Sequence, residues 1–530
     1  MKKATSKIVI TIIMIIIIIY TIYNIIIRID RRPENNFSKL EKEKVISTNI
    51  RVGVINFDTI NPIVSENTNV QNISRLIFEP LIELTEDFRT KPCLSTEWTR
   101  LNKVTYLIKL RQDVKWQDGR MFNCDDVIFT INTLKNMKES SIYYSNVKDI
   151  KQIKKIDEYT LQIITKEEIP YFEYNLIFPI MSSRYSDKEN QYLKEKNTQV
   201  IGTGKYYISD YDKDKIILKR NIGWWENKNL KLDTITVNLY KNLSEALKDF
   251  EQLNVDLLMS SNIEIEKYIE NLKCNTIYYP GRNYDYIAIN CTKDVLKNIE
   301  VRQAIQSAIN KEDIINRVYN GKYILSNFPL DFGSYLYTKN ENKIEYNKEK
   351  SKEILEKQNW KYSNNIWKKG NEIIELELLV NKDDEAMVKV SEVIKEQLEE
   401  VGIKIKMIIE PKKEYNELIK NGKYDLVITG KNYGYSPSIN SYFEEKNIAK
   451  YNNKDILNII KNIETNAEEN INRKYLSEII NIYNEEVPYI SLYYNSNAII
   501  YSQNLKGEIK PNSYNVFYNI ENWYREYDKL

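Results

Sequence analysis

The stretch Gly202-Thr203-Gly204-Lys205 brings together the residue types of a phosphate cradle: glycines, a hydroxyl and an ammonium. A phosphate loop also needs an earlier glycine and a Ser or Thr directly after the lysine. Both are missing, so the stretch reads as a turn leading into a strand that starts at Tyr206. Asp125-Asp126 and Asp383-Asp384 are paired carboxylates, the raw material of acid–base work. Each pair opens an apolar-periodic run, where acids cap a helix and meet the positive end of its dipole. A glycosidase needs two carboxylates ~5–9.5 Å apart across the scissile bond, and no stretch among the 75 acids promotes such a pair. The chain has no histidine, which removes the commonest general base and metal ligand and excludes Ser-His-Asp and Cys-His chemistry. Cys93, Cys124, Cys274 and Cys291 show no Cys-x-x-Cys spacing, so neither a zinc ribbon nor a thioredoxin site is expected. They read as small buried side chains, with a Cys274–Cys291 bridge left open by spacing alone. No catalytic residue, metal site or cofactor is expected.

The elements around these residues form a mixed α/β chain. Tyr106, Ile108 and Leu110 alternate as a half-buried strand. Gln117-Asp118-Gly119 supplies a turn, Asn123 an N-cap, and Val127, Ile131 and Leu134 one face of the helix that follows. A later helix is expected from about Asp384 to Glu400, packed through Val388, Val390, Val393, Ile394 and Leu398, with Gly402 near its end. Ile403, Ile405 and Met407 then alternate as a strand, followed by a helix around 415–420 and a short strand Leu426–Ile428. Trp224-Trp225 belongs either to the core or to the wall of a cleft. At 530 residues and 42% hydrophobic the chain can fill two or three domain cores. Lys and Arg number 77 against 75 acids, a formal charge of +2. These charges are interspersed, as in Glu41-Lys42-Glu43-Lys44, and make solvated faces. No dense basic block points to nucleic acid. The 41 tyrosines accompany a general richness in Ile, Lys and Asn, which explains them as well as any binding role.

Ile8–Ile27 is an almost unbroken apolar run, long enough to span the ~30 Å hydrocarbon core as a helix. The competing reading is a cleaved signal peptide. No small-x-small site follows, and the run exceeds the ~7–15 residues of an h-region, so an uncleaved transmembrane anchor is expected. Lys2, Lys3 and Lys7 face Arg28, Arg31 and Arg32 across it, so charge gives only a weak vote for an inside N-terminus. Residues 28–48 are polar and charged and read as a tether reaching on the order of 25 Å.

The run Leu110-Arg111, Val114-Lys115-Trp116, Asp118-Gly119, Phe122, Asp125-Asp126-Val127 and Phe129 resembles the signature of the family 5 extracellular solute-binding proteins, the oligopeptide- and dipeptide-binding components of ABC importers. More of the chain matches in order: Asn61-Pro62, Leu76-Ile77-Phe78-Glu79-Pro80-Leu81, the Gly202-Thr203-Gly204 block with Arg220-Asn221 and Trp224-Trp225, Asn290, Val301-Arg302-Gln303-Ala304, Gly321, Gly402-Ile403 and Tyr424-Asp425-Leu426. The resemblance covers about residue 50 to the C-terminus. It implies an α/β, two-lobed clamp of the type II periplasmic-binding-protein kind with an extra domain, preceded by the N-terminal transmembrane helix. The expected division is a tail 1–7, an anchor 8–27, a tether 28–48, lobe I from 49–90 with 200–280 and 495–530, the extra domain 91–199, and lobe II 281–494. Crossovers near Pro280 and Asn495 would form the hinge.

The resemblance also implies a ligand and a partner, a peptide or peptide-like solute and ABC permease subunits, and the apolar run Ile8–Ile27 adds the membrane through the N-terminal helix. The binding domain is expected outside the cytoplasm, on a single-pass monomer of the cell membrane. Relatives pair the ligand backbone with a protein strand and hold its α-amine with a carboxylate that follows the Tyr-Asp-Leu strand. The corresponding stretch here, Thr429 to Pro437, has no acid, and Lys431 brings the opposite charge. Gly430, Lys431, Asn432 and Tyr433 are the expected ligand-binding residues on this side, and Glu66, Asn67 and Thr68 on the other. Lys431 favours a blocked, cyclic or acidic ligand. Glu66 is either the relocated acid or an exposed loop residue. The rival readings are a cell-surface sensor or scaffold that kept the clamp without transport, and a carbohydrate hydrolase.

Overall fold

Ile50, Val52 and Val54 alternate along one strand and are fully buried, the period-2 pattern of a strand seated in a sheet. The computed structural model describes residues 14, 16–23, 44–184, 200–226, 228–262, 264–330, 333–337, 345–465 and 468–528. Their main sheet is built from β1 (Asn49–Ile55), β2 (Tyr206–Tyr211), β3 (Lys215–Arg220), β4 (Thr234–Tyr240), β5 (Leu257–Ser260), β6 (Cys274–Ile289), β7 (Glu375–Asn381), β8 (Lys404–Glu410), β9 (Leu426–Asn432) and β10 (Tyr489–Ser502). The strands lie in the order β8-β7-β9-β6-β10-β5-β1-β4-β3-β2, and Ile324–Leu325 adds an eleventh beside β10.

β6 and β10 are the two long strands, 16 and 14 residues. They pair antiparallel from Cys274↔Ser502 to Ala288↔Tyr489, and the register breaks between Pro280 and Tyr284. Pro280 has no N–H to give the ladder. A Cβ on Gly281 would lie 2.2 Å from the Asn495 side chain, and Asn495 Oδ1 instead accepts the Asn283 N–H at 2.8 Å. Such a bulge bends and twists the pair. Below the bend β10 meets β5, and above it β6 meets β9.

The apolar cores divide at the same place. One joins the β1–β5 side to the four-stranded sheet of Ser95–Asn102, Thr105–Leu110, Thr160–Thr165 and Ile150–Lys155 and to the helix Cys124–Met137. Two others pack on the faces of the β7–β8–β9 side, with Ile287 and Ile428 in one and Tyr284 and Val427 in the other. The result is a two-lobed α/β fold.

Local readings translate directly into elements. Tyr106, Ile108 and Leu110 are buried on the strand Thr105–Leu110, and Gly119 takes φ +87° in the turn that follows. Asn123 caps Cys124–Met137 in a capping box with Asp126. Asp126 does more than cap: its carboxylate also accepts the Trp116 indole N–H at 3.0 Å and the Ser183 N–H at 2.7 Å. Asp384 caps the helix Glu385–Glu400, and Gly402 closes it at φ +85°. β9 runs to Asn432, four residues beyond the expected Ile428, because its far end pairs with β6 as far as Asn283↔Asn432. Gly202-Thr203-Gly204 is a turn before β2, and its glycines serve close packing. A Cβ on Gly202 would lie 1.8 Å from the Ile77 carbonyl oxygen, and Gly204 donates to that same oxygen at 2.9 Å.

All four cysteines are free, with Cys93 and Cys124 buried. Lys44–Ser47, the end of the expected tether, is strand, with Val45 and Ser47 half-buried and Lys44 and Ile46 exposed. Most of the expected anchor lies outside the described residues; Met14 and residues 16–23 are helical. Among the described residues no helix is long and apolar enough to cross a membrane.

Candidate functional site

The bend in β6 and β10 opens onto a cavity of about 570 Å³ between the two lobes. One wall comes from the helix Thr68–Ser74, which starts here because Asn67 accepts the Asn69 N–H at 2.8 Å. Asn67 also donates to the Asn56 carbonyl, tying the helix start to the end of β1. The opposite wall is the bulge itself, Arg282 and Asn283, with Asn432 from β9. Asn432 donates to Asn283 Oδ1 at 3.1 Å. Asn495 and Asn497 of β10 form the floor.

Nine asparagines line this cavity: residues 56, 67, 69, 72, 262, 283, 432, 495 and 497. Each primary amide carries both donors and an acceptor. Such a wall matches peptide groups without selecting a side-chain charge. Arg282 is the one charged residue among the described lining. Its guanidinium donates to the carbonyls of Tyr433 and Gly434 and lies 4.2 Å over the Tyr435 ring. Burial lowers its pKa from the ordinary arginine value.

A second cavity of about 460 Å³ shares Asn283, Asn432 and Asn495 with the first, so the two adjoin. It reaches into the second lobe toward Asp285, Tyr319, Tyr323, Asp384 and Tyr415. Asp285 is half-buried on β6. Burial, reinforced by the Asp384 charge and opposed by a hydrogen bond from Tyr493, pushes its carboxyl up to about 7.

The seven expected binding residues part company here. Asn67 and Thr68 line the first cavity, Gly430 and Lys431 the second, and Asn432 both. Glu66 is exposed and lines neither. Tyr433 is buried beneath the cleft, donating its hydroxyl to the Pro329 carbonyl and packing against Tyr284 at 5.5 Å. Lys431 directs its ammonium onto Ser441 Oγ at 2.6 Å and lies 5.1 Å over the Tyr442 ring. Burial lowers its pKa.

Asp285 lies far from the segment after Tyr424-Asp425-Leu426 in sequence, and strand pairing brings its neighbour Gly430 to it across 145 residues. The available signal was an acid inside Tyr-Asp-Tyr-Ile-Ala-Ile, a run otherwise buried on both faces. Buried acids are rare unless something pairs with them. Trp224 and Trp225 donate to buried Glu79 at 2.8 and 3.0 Å, and the three line neither cavity of the cleft; Trp224 is buried and Trp225 half-buried. Among the described residues no group of three or more His, Cys, Asp or Glu side chains is placed to hold a metal ion.

Residues 89–447 match the family described as bacterial extracellular solute-binding proteins, family 5 middle. The oligopeptide-binding protein AppA of Bacillus subtilis is 24% identical over 502 residues, covering 89% of this chain and 91% of that one. Its solved structure, in complex with a nonapeptide, matches with a TM-score of 0.59 at 22% identity over 91% of this chain and all of the other. HbpA2 of Haemophilus parasuis superposes with a TM-score of 0.77 at 19% identity, over 91% of this chain and all of that one.

Proposed function

The chain belongs to family 5 of the bacterial extracellular solute-binding proteins, and from that premise we propose that it captures a peptide between its lobes and delivers it to an ABC importer. Members of this family bind substrates for ABC transporters; they are not enzymes, and neither is this chain. The observation that carries the peptide reading is the asparagine-lined cavity at the bend of β6 and β10. An extended peptide offers one N–H and one C=O per residue, and the amides of both lobes can meet them whatever the side chains are. Asn67 and Thr68 would hold it from one lobe, and Gly430, Lys431 and Asn432 from the other.

The bulge supplies the moving part. Between Pro280 and Tyr284 backbone pairing gives way to the Asn495 side chain, so this is where two rigid cores can rotate about a few residues. The segments before the bend, 49–280, with 495–530 form one arm, including 91–199 as its extra domain; 281–494 form the other. The apolar run Ile8–Ile27 anchors this clamp to the outer face of the cell membrane, beside its permease.

Closure is the consequence to measure. Small-angle scattering on the full-length chain, before and after a saturating mixture of three- to nine-residue peptides, should show a smaller radius of gyration with ligand. Peptide bound at saturation with no compaction would refute the clamp.

A further inference from the structure

The second cavity is chemically unlike the first. It keeps five asparagines and adds three tyrosines and two carboxylates, which the first lacks. Asp285 stands between two strands, opposite Gly430 on one side and Tyr493 on the other. The space for its carboxylate is made by the glycine: a Cβ on Gly430 would lie 2.3 Å from Asp285 Oδ1. Tyr319 and Tyr323 stack face to face at 3.8 Å, and the Tyr319 hydroxyl meets that of Tyr493 at 3.1 Å. Asp384 uses Oδ1 to cap its helix through the Met387 N–H. Two lysines complete the charged lining. Lys431 is turned onto Ser441 and Tyr442, and Lys412 lies at the start of the helix Lys412–Lys420.

We propose that this cavity receives a basic side chain of the bound peptide, a lysine or arginine, with Asp285 as its counter-charge. The inference rests on the peptide reading above and assigns a side-chain preference to it. A long aliphatic stem would run along the tyrosine rings, and its cation would reach the carboxylate with ring faces beside it. Among the described residues no ion pair holds Asp285: burial and Asp384 hold the carboxyl up, and the Tyr493 hydroxyl favours its charge. An arriving ammonium or guanidinium supplies the missing partner. Lys431, which on sequence grounds favoured an acidic ligand, is turned onto Ser441, and the exposed Lys412 is not among the charges acting on Asp285, so Asp285 offers the cavity a half-buried negative charge.

Isothermal titration calorimetry on the full-length chain tests this. The probes are tetraalanine peptides carrying lysine, ornithine or norleucine at each position in turn, and the N-acetylated form of every one. At one position lysine should bind on the order of tenfold tighter than norleucine. Acetylation should leave that preference in place, and Asp285→Asn should erase it. Asp285→Glu, which pushes the carboxylate outward, should move the preference from lysine to the shorter ornithine, a result that cannot come from misfolding. Equal binding of lysine and norleucine peptides throughout would overturn the assignment while leaving the peptide reading standing. A preference that vanishes on acetylation would give the cavity to the terminal amine instead and overturn the side-chain assignment. A lysine preference unchanged in Asp285→Asn would overturn it too. Failure of every peptide to bind would overturn both readings.

Discussion

Replacing Glu79 by glutamine should change how stability responds to pH. The Glu79 carboxylate is buried, accepting both indole N–H groups of Trp224 and Trp225. Burial dominates these hydrogen bonds and lifts its pKa from 4.5 to about 7, with the Glu83 charge adding to the rise. A raised acid pKa means the folded chain binds the proton more tightly than the unfolded one. The group's contribution is then complete below about pH 4.5 and is lost as pH climbs through about 7. The separation between 4.5 and 7 corresponds to about 3 kcal/mol. Glutamine has no charge to bury, but its single carbonyl oxygen can satisfy only one indole well, a loss of about 1 kcal/mol. Glu79→Gln should therefore be slightly less stable than wild type at pH 5 and more stable at pH 8. Between pH 5 and pH 8 the difference between the two proteins should swing by about 2.5 kcal/mol. Urea unfolding followed by tryptophan fluorescence measures both, and other titrating groups, Asp285 included, cancel in the comparison. A difference that is the same at pH 5 and pH 8 would refute the burial argument.

Two further predictions follow from packing. Gly202→Ala should destabilise the fold by at least about 3 kcal/mol, because the new methyl group meets the Ile77 carbonyl rather than a movable side chain; a shift in urea midpoint of less than a third of that would show that the backbone yields. Cys93 and Cys124 should resist iodoacetamide at pH 8 until the chain unfolds, since burial holds the Cys93 thiol well up and pushes Cys124 to about 12. Peptide mapping by mass spectrometry should find the half-exposed Cys274 and Cys291 alkylated before the buried pair, and early labelling of Cys93 or Cys124 would contradict their packing.

The reach of the sequence ended where strands from distant segments meet. Asn123, Asp384 and Gly402 announced their helix boundaries because caps and left-handed glycines act within a few residues. The signature from Leu110 to Phe129 was legible for the same reason. Glu79 illustrates the opposite case: its partners Trp224 and Trp225 lie about 145 residues away, and no local pattern joins them. Lys431 and Asp285 fall in the same class. The segment around Lys431 showed correctly that no acid lies within it. It could not show that pairing of β6 with β9 sets an acid from that neighbouring strand against Gly430, or that Ser441 takes the lysine ammonium. Tyr433 belongs to the stretch that matches the relatives' amine-binding segment, but just past the end of β9 its ring lies in the tyrosine-rich core.

The central claim is that a peptide occupies the cleft between the lobes, and the most direct measurement is the identity of the solute that travels with the protein. The chain should be purified from cells that make it naturally, without denaturation, and its ligand released by acid and sequenced by tandem mass spectrometry. The account predicts peptides, up to one per chain, with lysine or arginine enriched at a fixed position. A sugar, a metal chelate or another solute with no peptide bonds, present at one per chain, would contradict it.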